Sequence, residues 1–167
     1  MNKVLVAVFE SEDRARRGSR ALDELVEADA IRVNASAIVV KGPGGAITVS
    51  DLTHPAPEST MGATAVGILI GMLAGGVGLA IGAAAGLLVG SMADMFYLKV
   101  GRDFLADVER TLNPGKAALV AQIYEEDTGA VDARLADLGA VVFRRPVGEV
   151  ADQEYLTAVT GIKRRLA

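Results

Sequence analysis

The sequence predicts an α+β fold with the element order β-α-β-β-α-β, interrupted by an apolar helical hairpin. Three observations predict it. Short apolar runs bounded by charged or turn residues recur along the chain, as buried strands do. Stretches with helical apolar spacing lie between them. One stretch, residues 59–93, carries no charge over 35 positions in a chain that is 23% charged.

The elements follow in order. Val4–Phe9 is a short apolar run that meets Glu10, Glu12 and Asp13, which marks a buried strand rather than the apolar region of a signal peptide. Ser11 is placed to cap the next helix, with Glu12 and Asp13 in its first turn. Ala21, Leu22, Leu25, Val26 and Ala28 recur at helical spacing and predict the face that packs on a sheet. Residues 36–40 read as a second strand, residues 42–45 as a glycine-rich turn and residues 46–49 as a third strand. Residues 51–60 contain Pro55 and Pro57 and read as a linker. Beyond the uncharged stretch, residues 102–112 form an amphipathic helix with Phe104, Leu105, Val108 and Leu112 on one face, stopped by Asn113, Pro114 and Gly115. Residues 117–124 are a fourth strand. Asp127 or Thr128 caps a helix carrying Val131, Leu135 and Leu138, with Gly139 as its stop. Residues 140–143 are a fifth strand, and a last helix is expected over residues 149–166. The first six elements match a ferredoxin-like plait, with a fifth strand and C-terminal helices added. Residues 1–58 and 99–167 are expected to build the α/β domain, and residues 59–98 the inserted hairpin.

The hairpin holds two glycine ladders. Gly67, Gly71 and Gly75 are spaced by four, and so are Gly78, Gly82, Gly86 and Gly90. That spacing keeps each ladder on one helix face and leaves a groove into which another backbone fits. Seven interior glycines cost a helix on the order of 3–7 kcal/mol relative to alanine, so something must fill those grooves. The other faces are apolar too, with Ile68, Leu69, Ile70 and Leu73 on the first arm and Leu79, Ile81, Leu87, Leu88 and Val89 on the second. The arms, residues 61–74 and 79–93, reach about 21 and 22 Å at helical rise, short of a bilayer core of about 30 Å. The sequence therefore predicts hairpins buried against hairpins of other copies, or dipped into the cytoplasmic face of a membrane. Burial within a single molecule is the least favoured option, because the small α/β domain is expected to lack the surface to cover both arms.

Composition narrows the function classes. A net charge of −4 argues against a nucleic-acid partner, and the lack of cysteine removes disulfides and thiolate metal sites. His54, the single histidine, is expected to be an exposed linker residue. Glu125, Glu126 and Asp127 suit a helix dipole better than a cation. Gly76, Gly78 and Gly82 have the wrong spacing for a dinucleotide fingerprint, with no preceding strand. No catalytic residue, cofactor or metal site is predicted. Lys163, Arg164 and Arg165 suit a helix C-terminus and are also candidates for contact with anionic lipid headgroups.

The order of segments is telling: KVLVAVFESEDRARRGSRALDEL, SAIVVKGPGGAITVSDL, the ladder ending GLAIGAAAGLLVGSMADM, then FLADVERTLNPGKAALVAQIYEED. Over nearly the whole chain it resembles a bacterial family of "predicted membrane proteins", domain of unknown function 1269. The resemblance implies membrane association, and brings no activity and no catalytic residues. This sequence departs from the expected pattern at Lys116, Ala117 and Ala118, where a small hydroxyl residue is expected before the strand. The expected protein is non-enzymatic, cytoplasmic or at the inner face of the membrane, and self-associating. The alternative is a cytosolic ligand- or partner-binding sensor domain tethered by the hairpin.

Overall fold

A computed structural model describes residues 2–54, the helical residues 66, 69–71, 73 and 74, and residues 102–146. The glycine-ladder residues other than Gly71, the second arm, the C-terminal helix and Lys163, Arg164 and Arg165 lie outside the described residues.

The elements are β1 (Asn2–Phe9), α1 (Glu12–Glu27), β2 (Ile31–Lys41), β3 (Ile47–His54), α2 (Arg102–Thr111), β4 (Ala117–Glu125), α3 (Gly129–Asp137) and β5 (Val141–Pro146). The local signals explain most of them. The Ser11 hydroxyl accepts from the Arg14 N–H at 3.3 Å, with Glu12 and Asp13 in the first turn. At α3 it is Asp127, not Thr128, that accepts from the Gly129 N–H, at 3.0 Å. Gly115, with φ +88°, makes the turn after α2 that a side chain would strain.

The five strands form one antiparallel sheet in the order β3-β2-β4-β1-β5. A plait built from the first six elements would place β3 between β1 and β2. The sheet has β4 there, and β3 outside as an edge strand. The burial of the two strands matches their places in the sheet. All of β4 except Tyr124 is buried, as a strand covered on both faces must be, whereas Thr48 and Val49 of β3 are exposed. β1 and β2, joined by α1, flank β4, while β4 and β5, joined by α3, flank β1.

Both faces of the sheet carry a core. On the first face Leu5, Ala7, Phe9, Ile38, Leu119, Ala121 and Ile123 pack with Ala15, Leu22 and Leu25 of α1 and Val131 and Leu135 of α3. Gly18 lets α1 approach closely, because a Cβ there would fall 2.4 Å from the Phe9 ring. On the second face Val4, Val6, Val8, Ala35, Ala37, Val39, Ala118 and Val120 pack with Phe104, Leu105, Val108 and Leu112. The four predicted apolar residues of α2 are therefore all core.

Several boundaries differ from expectation. β2 starts at Ile31, because a bulge near Asn34 absorbs the polar interruption. β3 runs on through His54, which pairs with Ser36, so the expected linker begins later. Val26 and Ala28 are exposed, since the packed stretch of α1 ends at Leu25. β5 includes Arg144 and Arg145, whose side chains alternate between the two faces.

Candidate functional site

The helical residues 66, 69–71, 73 and 74, which fall in the expected first arm, meet the sheet directly. Val66 and Leu69 are buried in the second-face core, with Ile70 and Leu73 packed against it. These four positions fall at i, i+3, i+4 and i+7, one stripe of a helix. For this stripe neither another copy nor lipid is needed as cover. The chain's own sheet covers it. The physical reason is that β1, β2 and β4 expose small side chains on their second face, and α2 does not cover all of them. In the sequence Ile68, Leu69, Ile70 and Leu73 form one apolar group with no polar residue to separate their faces. The signal that separates them is the recurrence at Val66, Leu69, Ile70 and Leu73.

Gly71 is the one ladder glycine among the described residues. It sits roughly 150° around the helix from the centre of the packed stripe. A Cβ built on it meets nothing within 4 Å. By spacing, Gly67 and Gly75 belong to the same ladder. The arm thus has a covered apolar side and, at Gly71, a far side that no described residue fills.

Polar groups meet at two further places. The first lies on the first face, at the end of the sheet formed by the start of β1 and the ends of β4 and β5. Glu125, 1% exposed, accepts from Lys3 Nζ at 3.1 Å and from Arg144 Nε at 2.8 Å. Arg144 Nη1 also meets Asp132 Oδ1 at 2.6 Å. Two cations and two carboxylates close the network. Glu125 therefore belongs to an ion network and not to the helix dipole alone, and no cation-binding group of three His, Cys, Asp or Glu occurs among the described residues. Sequence reading missed this cluster, whose one signal was a lysine at the head of an apolar run.

The second place ties edge strand β3 to α1. Arg16 donates to Glu12 at 2.8 Å, to Ser50 at 2.9 Å and to Asp51 at 3.3 Å, and the Ser50 hydroxyl donates to Glu12. The Ser50 hydrogen bond, then that from Arg16, holds the Glu12 carboxyl below its ordinary pKa. Both clusters tie separate elements of the fold together and read as structural clasps.

No helix among the described residues is long and apolar enough to cross a membrane. No curated protein and no solved structure matches the chain. A family model described as "Protein of unknown function (DUF1269)" matches residues 60–159, more than half of the chain, including the first arm, α2, β4, α3 and β5. The chain belongs to this DUF1269 family.

Proposed function

We propose that this is a non-enzymatic scaffold protein that associates with copies of itself through its glycine-rich insertion. One observation carries the reading: the arm lays its Val66, Leu69, Ile70 and Leu73 stripe on the sheet and leaves a notch at Gly71, on the other side, that no described residue fills. A helix fixed in this way presents its glycine face outward, where a second helix can approach to backbone contact. The uncharged run through residues 59–93 supplies candidates for that second helix, from the same hairpin or from another copy. The α/β domain then acts as a rigid mount. Its strand order supports a ferredoxin-like plait made of β1, α1, β2, β4, α3 and β5, with β3, the glycine-zipper hairpin and α2 inserted between β2 and β4. Membrane lipid is the other medium that such a face suits, as the family resemblance implies.

The test is Gly71→Leu, read by light scattering and sedimentation without detergent. The added side chain points away from the described core, so the far-UV spectrum and thermal unfolding of the α/β domain stay as in the unaltered protein. The oligomer is expected to dissociate or change size. A monodisperse monomer before the substitution, or an unchanged particle after it, refutes the reading. Flotation with liposomes separates the lipid version, in which the unaltered protein moves to the lipid fraction.

A further inference from the structure

The two faces of the sheet treat charge differently at the same end. On the first face the Lys3, Glu125, Arg144 and Asp132 network is balanced. On the second face, at the start of β1 and the end of β4, stand Asn2, Arg32, Asn34, Gln122, Tyr124 and Arg145. Their placement follows from the register: Asn2 lies opposite Tyr124, Val4 opposite both Gln122 and Arg145, and Arg32 opposite Tyr124. There is no carboxylate in this group.

Both arginines are positioned without an acid. The Arg32 guanidinium lies 5.6 Å from the centre of the Tyr124 ring, and that of Arg145 lies 5.5 Å from the centre of the Phe104 ring. Arg145 Nη1 also donates to the Arg144 carbonyl at 3.0 Å. Among the described residues neither makes an ion pair. Cation–π attraction to a ring holds a guanidinium in place without using up its N–H donors. Between them, Asn34 Nδ2 donates to Asn2 Oδ1 at 3.2 Å across β4. Gln122 is 4% exposed, and its Oε1 is buried with no hydrogen-bond partner. A buried amide acceptor without a donor is costly. With Oε1 turned inward, the NH2 is the end of this amide left for a group outside the core, and the group that satisfies an NH2 is an acceptor.

We propose that this end of the second face binds a phosphate group. Guanidinium, phenol and amide donors from β1, β2 and β4 share this end of one face, and the terminal oxygens of a phosphate accept from all three kinds. The inference is independent of self-association through Gly71. A phosphate reaches this patch from two sources, a soluble phosphate or a lipid headgroup, and the sheet distinguishes them. β2 and β5 are three strand spacings apart, roughly 14 Å. A single soluble phosphate beside Tyr124 engages Arg32 and not Arg145, whereas a layer of headgroups engages both.

The experiment uses the full chain. Inorganic phosphate is titrated at constant ionic strength and followed through the side-chain N–H signals of Arg32, Arg145 and Gln122. In parallel, sedimentation measures binding to phosphatidylglycerol and to phosphatidylcholine vesicles. Arg32→Ala and Arg145→Ala are compared with Arg17→Ala, an exposed arginine on α1. A soluble ligand gives phosphate-dependent shifts that Arg32→Ala abolishes and Arg145→Ala keeps. A headgroup gives binding to phosphatidylglycerol vesicles alone, weakened about fivefold by each of the two patch substitutions. Either pattern supports the proposal. It is overturned if neither probe binds, or if Arg17→Ala weakens binding as much as the patch variants do. Because both patch arginines are exposed, an unchanged far-UV spectrum verifies that each variant is folded.

Discussion

Leu69 and Gly71 lie two residues apart on one helical arm, and their substitutions to alanine are expected to act in opposite directions. Leu69 is fully buried in the second-face core. Truncating it removes a side chain from the packed layer formed with Val66, Phe104, Leu105 and Val108. Such a change costs about 2–5 kcal/mol, depending on how far the site collapses. At Gly71 a new methyl meets nothing within 4 Å, so only the helix preference remains, a gain of roughly 0.5–1 kcal/mol. The difference between the variants is therefore about 3–6 kcal/mol. Guanidinium unfolding followed by circular dichroism, repeated over a range of protein concentrations, measures it and removes any contribution from assembly. If Leu69→Ala leaves the midpoint of the α/β domain unchanged, the arm does not rest on its own sheet, and the orientation assigned to Gly71 fails with it.

Two further outcomes follow from the polar clasps. Glu125→Ala leaves Lys3 and Arg144 without their shared buried partner and is expected to cost about 3–5 kcal/mol in thermal or denaturant unfolding, while Glu24→Ala, which breaks the exposed pair with Arg134, costs about 1 kcal/mol or less. At β3, Ser50→Ala removes the main cause of the lowered Glu12 pKa, so the Glu12 value measured by NMR rises toward 4.5. A carboxyl lowered on folding adds stability above its unfolded pKa and loses it as pH falls through the folded value. The stability advantage of the unaltered protein over Ser50→Ala is thus expected to fade on acidification into that range, and an advantage that persists there refutes the assignment.

Local chemistry made much of the fold legible. Ser11, Gly115 and Gly139 act through a few neighbouring residues, so their roles as cap and stops could be read directly. Phe104, Leu105, Val108 and Leu112 could be read because their spacing admits one buried face. The place of β3 could not, since strand order depends on which strands are buried on both sides, and β3 and β4 differ in that only once assembled. Extending β2 back to Ile31 required the bulge near Asn34, which depends on pairing with β4. The arm shows the same limit. Its apolar excess was visible, but the absence of a polar face hid which stripe meets the sheet. The Glu125 network was illegible for a related reason: its members come from β1, β4, α3 and β5 and meet only through the register.

The central position of β4 has a consequence for how the chain is made. β1 and β4 pair residues as far apart as Asn2 and Tyr124, so β1 waits for a strand synthesised much later before the middle of the sheet closes. Topologies dominated by such distant pairings fold slowly. During translation the apolar strands β1 and β2 and the uncharged run all leave the ribosome before β4 is available. This is the window in which exposed apolar segments aggregate. The ribosome therefore delivers the sticky part of this molecule ahead of the strand that completes its mount, and chaperone binding to the nascent chain is expected to peak between residues 59 and 117.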